Sequence, residues 1–216
     1  YVQLTSGHME FLINALDGDS SLVTHPTLPM LPAVPSPYML ERARIFLKRT
    51  GLPIEPRKQW PPGGLPKYSV SGRIPSALQA NVGMSLCVWG DGGWGRVVRE
   101  GRYMEEYFSD ELVSACVELL KRWRPNPAPV WVTCMPSLMH PDLVPNFAER
   151  LAAENGLPFY QALEKIDHTK EQKAMANTQQ QAHNIDGSMQ VIPQNIQPGP
   201  VLLIDDIINS RWTSTV

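Results

Sequence analysis

Two adjacent carboxylates, Asp205 and Asp206, end an unbroken apolar run of Val201, Leu202, Leu203 and Ile204. Ile207 and Ile208 follow, then a loop with Asn209, Ser210, Arg211 and Thr213. Paired acids at the end of a strand can accept hydrogen bonds from the hydroxyls of a ribose, or hold a metal beside a phosphate. Backbone N–H groups, hydroxyls and a guanidinium in the next loop suit the phosphate itself. The apolar run lacks polar alternation, so the expectation is a parallel strand covered on both faces. Open α/β sheets bind ligands at the carboxyl ends of such strands. A strand ending in two acids at a loop is also compatible with a purely structural role.

Positioning such a site takes strands that alternate with helices, and residues 109–216 carry that pattern. Ser109, Asp110 and Glu111 read as the start of a helix with acids in its first turn. That helix continues through Val113, Val117, Leu120 and Trp123 and stops at Arg124 and Pro125. Residues 129–134 read as a buried strand, residues 135–141 as a loop, and residues 143–154 as a helix with Phe147, Leu151 and Ala152 inward. Residues 156–160 start a second strand, and residues 201–204 give a third. The alternation implies right-handed parallel crossovers. Pro136 and Ser137 fall in the loop after the first of these strands.

Upstream the texture differs. Residues 8–17 look like the end of a helix, residues 18–37 a Ser/Pro-rich linker, and residues 38–50 a short amphipathic helix stopped by Gly51. Residues 52–66 hold Arg57, Lys58 and Trp60 among prolines. The two cations could contact phosphates and the indole could stack on a base, which would be a DNA contact. A proline-braced loop with a packed Trp and solvated charges fits the same residues. Residues 86–98 read as a β-hairpin whose turn is Gly90, Asp91, Gly92 and Gly93. The expectation for 67–108 is therefore a small β-rich or winged-helix-like module. That Gly-rich turn is too short to be a phosphate-binding P-loop.

Composition narrows the classes. The chain has 216 residues, is 43% hydrophobic and carries a formal net charge of −2, so it can bury a core and has no global drive toward nucleic acid or acidic membranes. No apolar run approaches the ~20 residues that span a bilayer, so no membrane partner is expected. Cys87, Cys116 and Cys134 are odd in number and far apart, which reads as reduced thiols in a cytoplasmic protein. His140, His168 and His183 stand at no metal-ligand spacing. The first residues lack the basic-then-apolar pattern of a signal peptide. A chain starting at Tyr1 and stopping just past the Asp205–Thr213 segment is expected to be a fragment of a larger protein.

The segment from Val201 to Thr213 resembles the ribose-phosphate signature of type I phosphoribosyltransferases, in which a hydrophobic strand leads to two acids and a Thr/Gly-rich loop. Arg211 stands where that family has glycine. The stretch with Gln172, Asn177 and Asn184 resembles the corresponding part of ComF-like transferase domains, whose pyrophosphate loop would fall at Pro136 and Ser137. A wider resemblance covers nearly the whole chain. The blocks are Met9–Leu12 with Leu16 and Asp17, Pro53–Pro61, Leu86–Gly90 with Trp94, Pro136–Ser137, and Leu202–Asp206 with Ser210, Arg211, Trp212 and Thr213. Their order is similar to the C-terminal region of bacterial RecQ-like ATP-dependent DNA helicases that carry a phosphoribosyltransferase-like domain. In that subfamily Ser-Arg-Trp-Thr after the acids is usual.

The resemblance implies an α/β, Rossmann-like parallel sheet of the type I phosphoribosyltransferase kind in residues 109–216, incomplete at its C-terminus. Residues 38–108 would be the small accessory module and residues 1–37 a helix end with a linker. The parent enzyme would be an ATP-hydrolysing helicase of DNA repair, with DNA as its partner. This chain has no motor motif, so whether it is itself an enzyme stays open. Its own ligand would be a phosphoribosyl group or nucleic acid, with Mg²⁺ as the only cofactor implied. The binding residues would be Asp205, Asp206, Asn209, Ser210, Arg211 and Thr213, supported by Gln172 and Asn184. A working phosphoribosyltransferase and a non-catalytic docking domain are the alternatives. The four-Cys zinc cluster of RecQ helicases would fall at residues 18–25, which contain no cysteine, so no metal site is expected there.

Overall fold

The structure, a computed structural model, describes residues 4, 7–22, 34–48, 51–166 and 178–215. The chain divides into two compact units, residues 1–43 and 44–216. In the first, α1 (His8–Ala15) buries none of its residues. It closes where Asp17 takes a left-handed φ of 56° and the Gly18 N–H reaches the Ile13 carbonyl at 2.8 Å. Helix α2 (Pro37–Leu47) begins on proline, where no backbone donor is needed, and the unit boundary falls inside it.

The second unit is mixed α/β with small sheets. Strand β1 (Leu52–Ile54) pairs antiparallel with β2 (Gly83–Ser85). Helix α3 (Trp94–Glu100) runs into one π-helical turn, Gly101–Glu105. Helix α4 (Asp110–Trp123) has two acids in its first turn and two cations in its last, which favours both ends of its dipole. It ends where Arg124 turns left-handed at φ 52°. Helix α5 (Leu143–Glu154) tolerates Pro145 because the first turn has no intrahelical use for its N–H.

Strand β3 (Trp131–Cys134) pairs parallel with β6 (Val201–Ile204), in the register Trp131 with Val201 and Cys134 with Ile204. On its other edge β3 meets Phe159 in a parallel bridge. The Val132 N–H reaches Pro158 O at 2.9 Å, and the Tyr160 N–H reaches Val132 O at 3.0 Å. Sequence pattern alone foresaw these three parallel segments. Strands β4 (Leu163–Lys165) and β5 (Met189–Val191) form a separate antiparallel pair, and α6 spans Thr178–Ile185.

The apolar faces of α4 and α5 meet around Leu112, Val113, Phe147 and Leu151. The other side of α5 covers β3 and β6 through Val144, Ala148 and Ala152 against Val132, Cys134 and Leu202. All four residues of β3 are buried with their polar groups satisfied: Thr133 Oγ1 accepts the Ala162 N–H at 3.1 Å, the Trp131 indole N–H donates to Gly199 O at 3.4 Å, and the Cys134 thiol donates to Gln161 Oε1 at 3.2 Å. A third cluster joins Leu65, Ala182, Ile185 and Trp212.

Two expectations are corrected. The strand 201–204 is not covered on both faces: Leu202 is buried, but Val201 is 45% exposed. The reason is position. β3 lies between β6 and Phe159, whereas β6 has β3 as its one partner among the described residues. Residues 86–98 do not form a hairpin, and the β-rich module shrinks to β1, β2 and isolated bridges. Asp91 is the cause. Its Oδ1 accepts the N–H groups of Gly93 at 3.0 Å and Gly95 at 2.7 Å, and its Oδ2 accepts that of Val88 at 3.2 Å. A carboxylate on these donors starts a helix instead of a second strand. Gly95 is required there: a Cβ would lie 2.4 Å from Val88 O and 2.8 Å from Asp91 Oδ1.

Candidate functional site

The parallel register sets the site. The Met135 N–H continues the ladder to Ile204 O at 2.8 Å, so the loops after β3 and β6 leave the sheet side by side. Pro136 and Ser137 on one chain segment, and Asp205 and Asp206 on the other, thus both follow the carboxyl end of the sheet. Ser137 Oγ accepts the His140 N–H at 3.2 Å and so shapes its own loop.

The two acids have different environments. Asp206 pairs with Arg102, which reaches it from the π-helical turn, and both side chains are largely buried. Burial pushes the Asp205 carboxyl up to about 7, against the pull of the Arg102 charge and of the Ile207 N–H. The Asp206 N–H also donates to Asp205 Oδ1 at 2.9 Å. One acid is thus an ion-paired carboxylate, and the other is poised to exchange a proton near neutrality. Among the described residues no group of three or more His, Cys, Asp or Glu is placed to hold a metal ion. With one of its two carboxylates already occupied by a guanidinium, the pair is a poor donor set for Mg²⁺.

The loop after the acids is fixed from two sides. Arg57 donates through Nε and Nη2 to Ser210 O at 2.9 and 2.6 Å, and its guanidinium stacks on Trp212 at 3.5 Å from the ring centroid. Burial, helped by the nearby Arg211 charge, lowers the Arg57 pKa from its ordinary value. Arg211 donates to Glu55 O at 2.8 Å. Its own carbonyl accepts the hydroxyls of Ser214 at 3.2 Å and Thr215 at 2.6 Å. Arg211 has φ 66°, the left-handed conformation for which glycine is the usual residue. Arg211 therefore holds a conformation that glycine adopts more readily. Asn209 is exposed, while Ser210 and Thr213 are half-buried.

The remaining sequence candidates separate. Lys58 is exposed, and Trp60 is half-buried against the cluster of Leu65, Ala182, Ile185 and Trp212. Both Arg57 donors that reach Ser210 O point into the protein. Asn184 lies on α6 beside Ile185, and Gln172 and His168 lie outside the described residues. Arg102 was not singled out by the sequence, because its fit to Asp206 depends on a π-helical turn that no periodicity announces. Burial raises the thiols of Cys87 to about 11 and of Cys116 and Cys134 to about 12, which disfavours the thiolate at neutral pH. A groove of about 340 Å³ beside α4, lined by residues such as Lys48, Trp94, Glu111 and Arg122, includes neither acid. Among the described residues no helix is long and apolar enough to cross a membrane.

No protein-family model, curated protein or solved structure matches this chain.

Proposed function

We propose that this chain is an accessory C-terminal region of a RecQ-like DNA helicase, in which residues 109–216 form a Rossmann-like, phosphoribosyltransferase-type module that binds a phosphorylated ribose without transferring it. The phosphorylated ribose can be free or belong to a nucleic-acid end. One observation carries the reading: Asp205 and Asp206 follow β6 at the carboxyl end of a parallel pair, and the next loop bends through a left-handed Arg211. Asp205 would accept hydrogen bonds from ribose hydroxyls. The Ser210 and Thr213 hydroxyls and the Arg211 guanidinium would face the phosphate. Arg102 on Asp206 weighs toward binding and away from transfer, because one acid is already neutralised.

The same ion pair favours a second reading, a docking domain with no small ligand, since it closes half of the acidic pair. Calorimetric titration with ribose 5-phosphate and with phosphoribosyl pyrophosphate, each with and without Mg²⁺, separates the two. The binding reading expects a saturable heat without Mg²⁺, and affinity at least tenfold weaker in the Asp205→Asn/Asp206→Asn variant. A tenfold loss is about 1.4 kcal/mol, the lower end of what hydrogen bonds to charged groups contribute. No heat with either ligand, from protein shown folded by circular dichroism, leaves docking as the account.

A further inference from the structure

The loop after the acids takes its shape from a segment far away in the chain. Arg57 and Ser210 are 153 positions apart, and Glu55 and Arg211 are 156 apart. The two segments are tied crosswise. Arg57 donates through Nε and Nη2 to Ser210 O at 2.9 and 2.6 Å, and Arg211 donates through Nη1 to Glu55 O at 2.8 Å. Two donors from one rigid guanidinium fix the direction of the Ser210 carbonyl. The Ser210–Arg211 peptide is trans, so its N–H points opposite its C=O. The same contact therefore turns the Arg211 N–H away from Arg57. The face of the Arg57 guanidinium lies on the Trp212 ring, 3.5 Å from its centroid, and Trp212 is itself buried.

This shape is unfavourable without support. Arg211 holds φ at 66°, and such strain persists where the surroundings over-determine it, often at ligand clamps. Among the described residues neither Arg57 nor Arg211 pairs with a carboxylate. Two guanidiniums that converge on one loop, with carbonyl oxygens as hydrogen-bond partners, leave net positive charge there for an anion. We propose that Arg57 is a positioning residue, which holds the Ser210–Thr213 loop in its phosphate-receiving shape before the ligand arrives. This role rests on the ribose-phosphate reading of the loop and assigns part of its affinity to the distant segment. Ordering a loop in advance strengthens binding, because the ligand no longer bears the entropy of ordering it. Lysine would keep the charge of residue 57 but not the two-donor fork or the flat stack on Trp212. Charge and positioning are thus separable by substitution.

Calorimetric titration of the whole chain with ribose 5-phosphate tests the role in wild type, Arg57→Ala and Arg57→Lys, with thermal melts showing that each is folded. The expected result is affinity about tenfold weaker in both variants. Methylguanidinium chloride should restore binding to Arg57→Ala, and methylammonium chloride at the same concentration should not. Wild-type affinity in either variant overturns the positioning role and leaves the ribose-phosphate reading standing. A loss in Arg57→Ala that methylguanidinium does not recover also overturns it, since the residue then supports the fold in general. If Arg57→Ala does not fold, Arg57→Lys decides: an affinity about tenfold weaker supports the role, and wild-type affinity overturns it. No binding by the wild-type protein overturns both readings.

Discussion

The described residues of 110–204 and the segment 51–108 hold their shape by different means. In the first, α4, α5 and β3 bury whole faces, and all four residues of β3 are inaccessible. In the second, short strands and turns are pinned by a few anchors, such as Leu65, Ile74 and Trp94, and by side chains that bind backbone, such as Asp91. The candidate site draws on both. Asp205 and Asp206 come from the regular sheet, while Arg57 and Arg102 reach in from the irregular segment. The dense part fixes where the acids stand, and the sparse part supplies the cation that pairs with Asp206 and braces the loop behind them.

The contrast can be broken most sharply in the core. Leu151→Ala should cost about 2–5 kcal/mol, since Leu151 is 2% exposed between α4 and α5. Leu78→Ala, at a residue 70% exposed in the irregular segment, should change stability by less than about 0.5 kcal/mol. Urea denaturation of the two variants reads the difference, and equal losses would erase it.

Next in size is the pH dependence. The Asp205 carboxyl is raised in the folded state to about 7, above its ordinary value near 4. The folded chain therefore holds a proton that the unfolded chain releases between those values, and stability falls as pH rises from about 4 to about 7. The loss is at most ~4 kcal/mol, three pKa units at about 1.4 kcal/mol each. Asp205→Asn should remove that slope and raise the melting temperature at pH 8 while leaving it unmoved at pH 3.5. A melting profile with the same slope in both proteins would place the titration elsewhere.

Smaller effects probe the sparse segment. Asp91→Ala removes the acceptor for the Val88, Gly93 and Gly95 N–H groups and should cost about 0.5–2 kcal/mol. Hydrogen exchange should quicken first at residues 93–97. If protection there is retained, the start of α3 does not depend on Asp91. Arg211→Gly should be nearly neutral, within about 1 kcal/mol. It relieves a left-handed φ costing roughly 1–2 kcal/mol, and loses the bond to Glu55 O and some chain stiffness. A large loss on chemical denaturation would give the guanidinium a structural role beyond that bond.

The sequence made the regular half legible. Apolar spacing located α4 and α5, the unbroken run at 201–204 located β6, and the two acids after it located the candidate site. The helices follow from apolar residues at a fixed period and the strand from a short unbroken apolar run, both of which the order of the residues records. Two features followed from no period. Gly-rich residues 90–95 look like a hairpin turn until the Asp91 carboxylate is placed on their N–H groups. Arg102 looks like any surface arginine until the π-helical turn aims it at Asp206. The same limit applies to β6. Alternation cannot distinguish a central strand from one flanked on a single side, and Val201 is accordingly half-exposed.

A ribose phosphate held at the carboxyl end of β3 and β6 can be seen by amide chemical-shift mapping by NMR during titration with ribose 5-phosphate. Saturable shifts confined to residues 135–137 and 205–213 are the predicted result. Shifts scattered over the surface, or none at millimolar ligand, would contradict it.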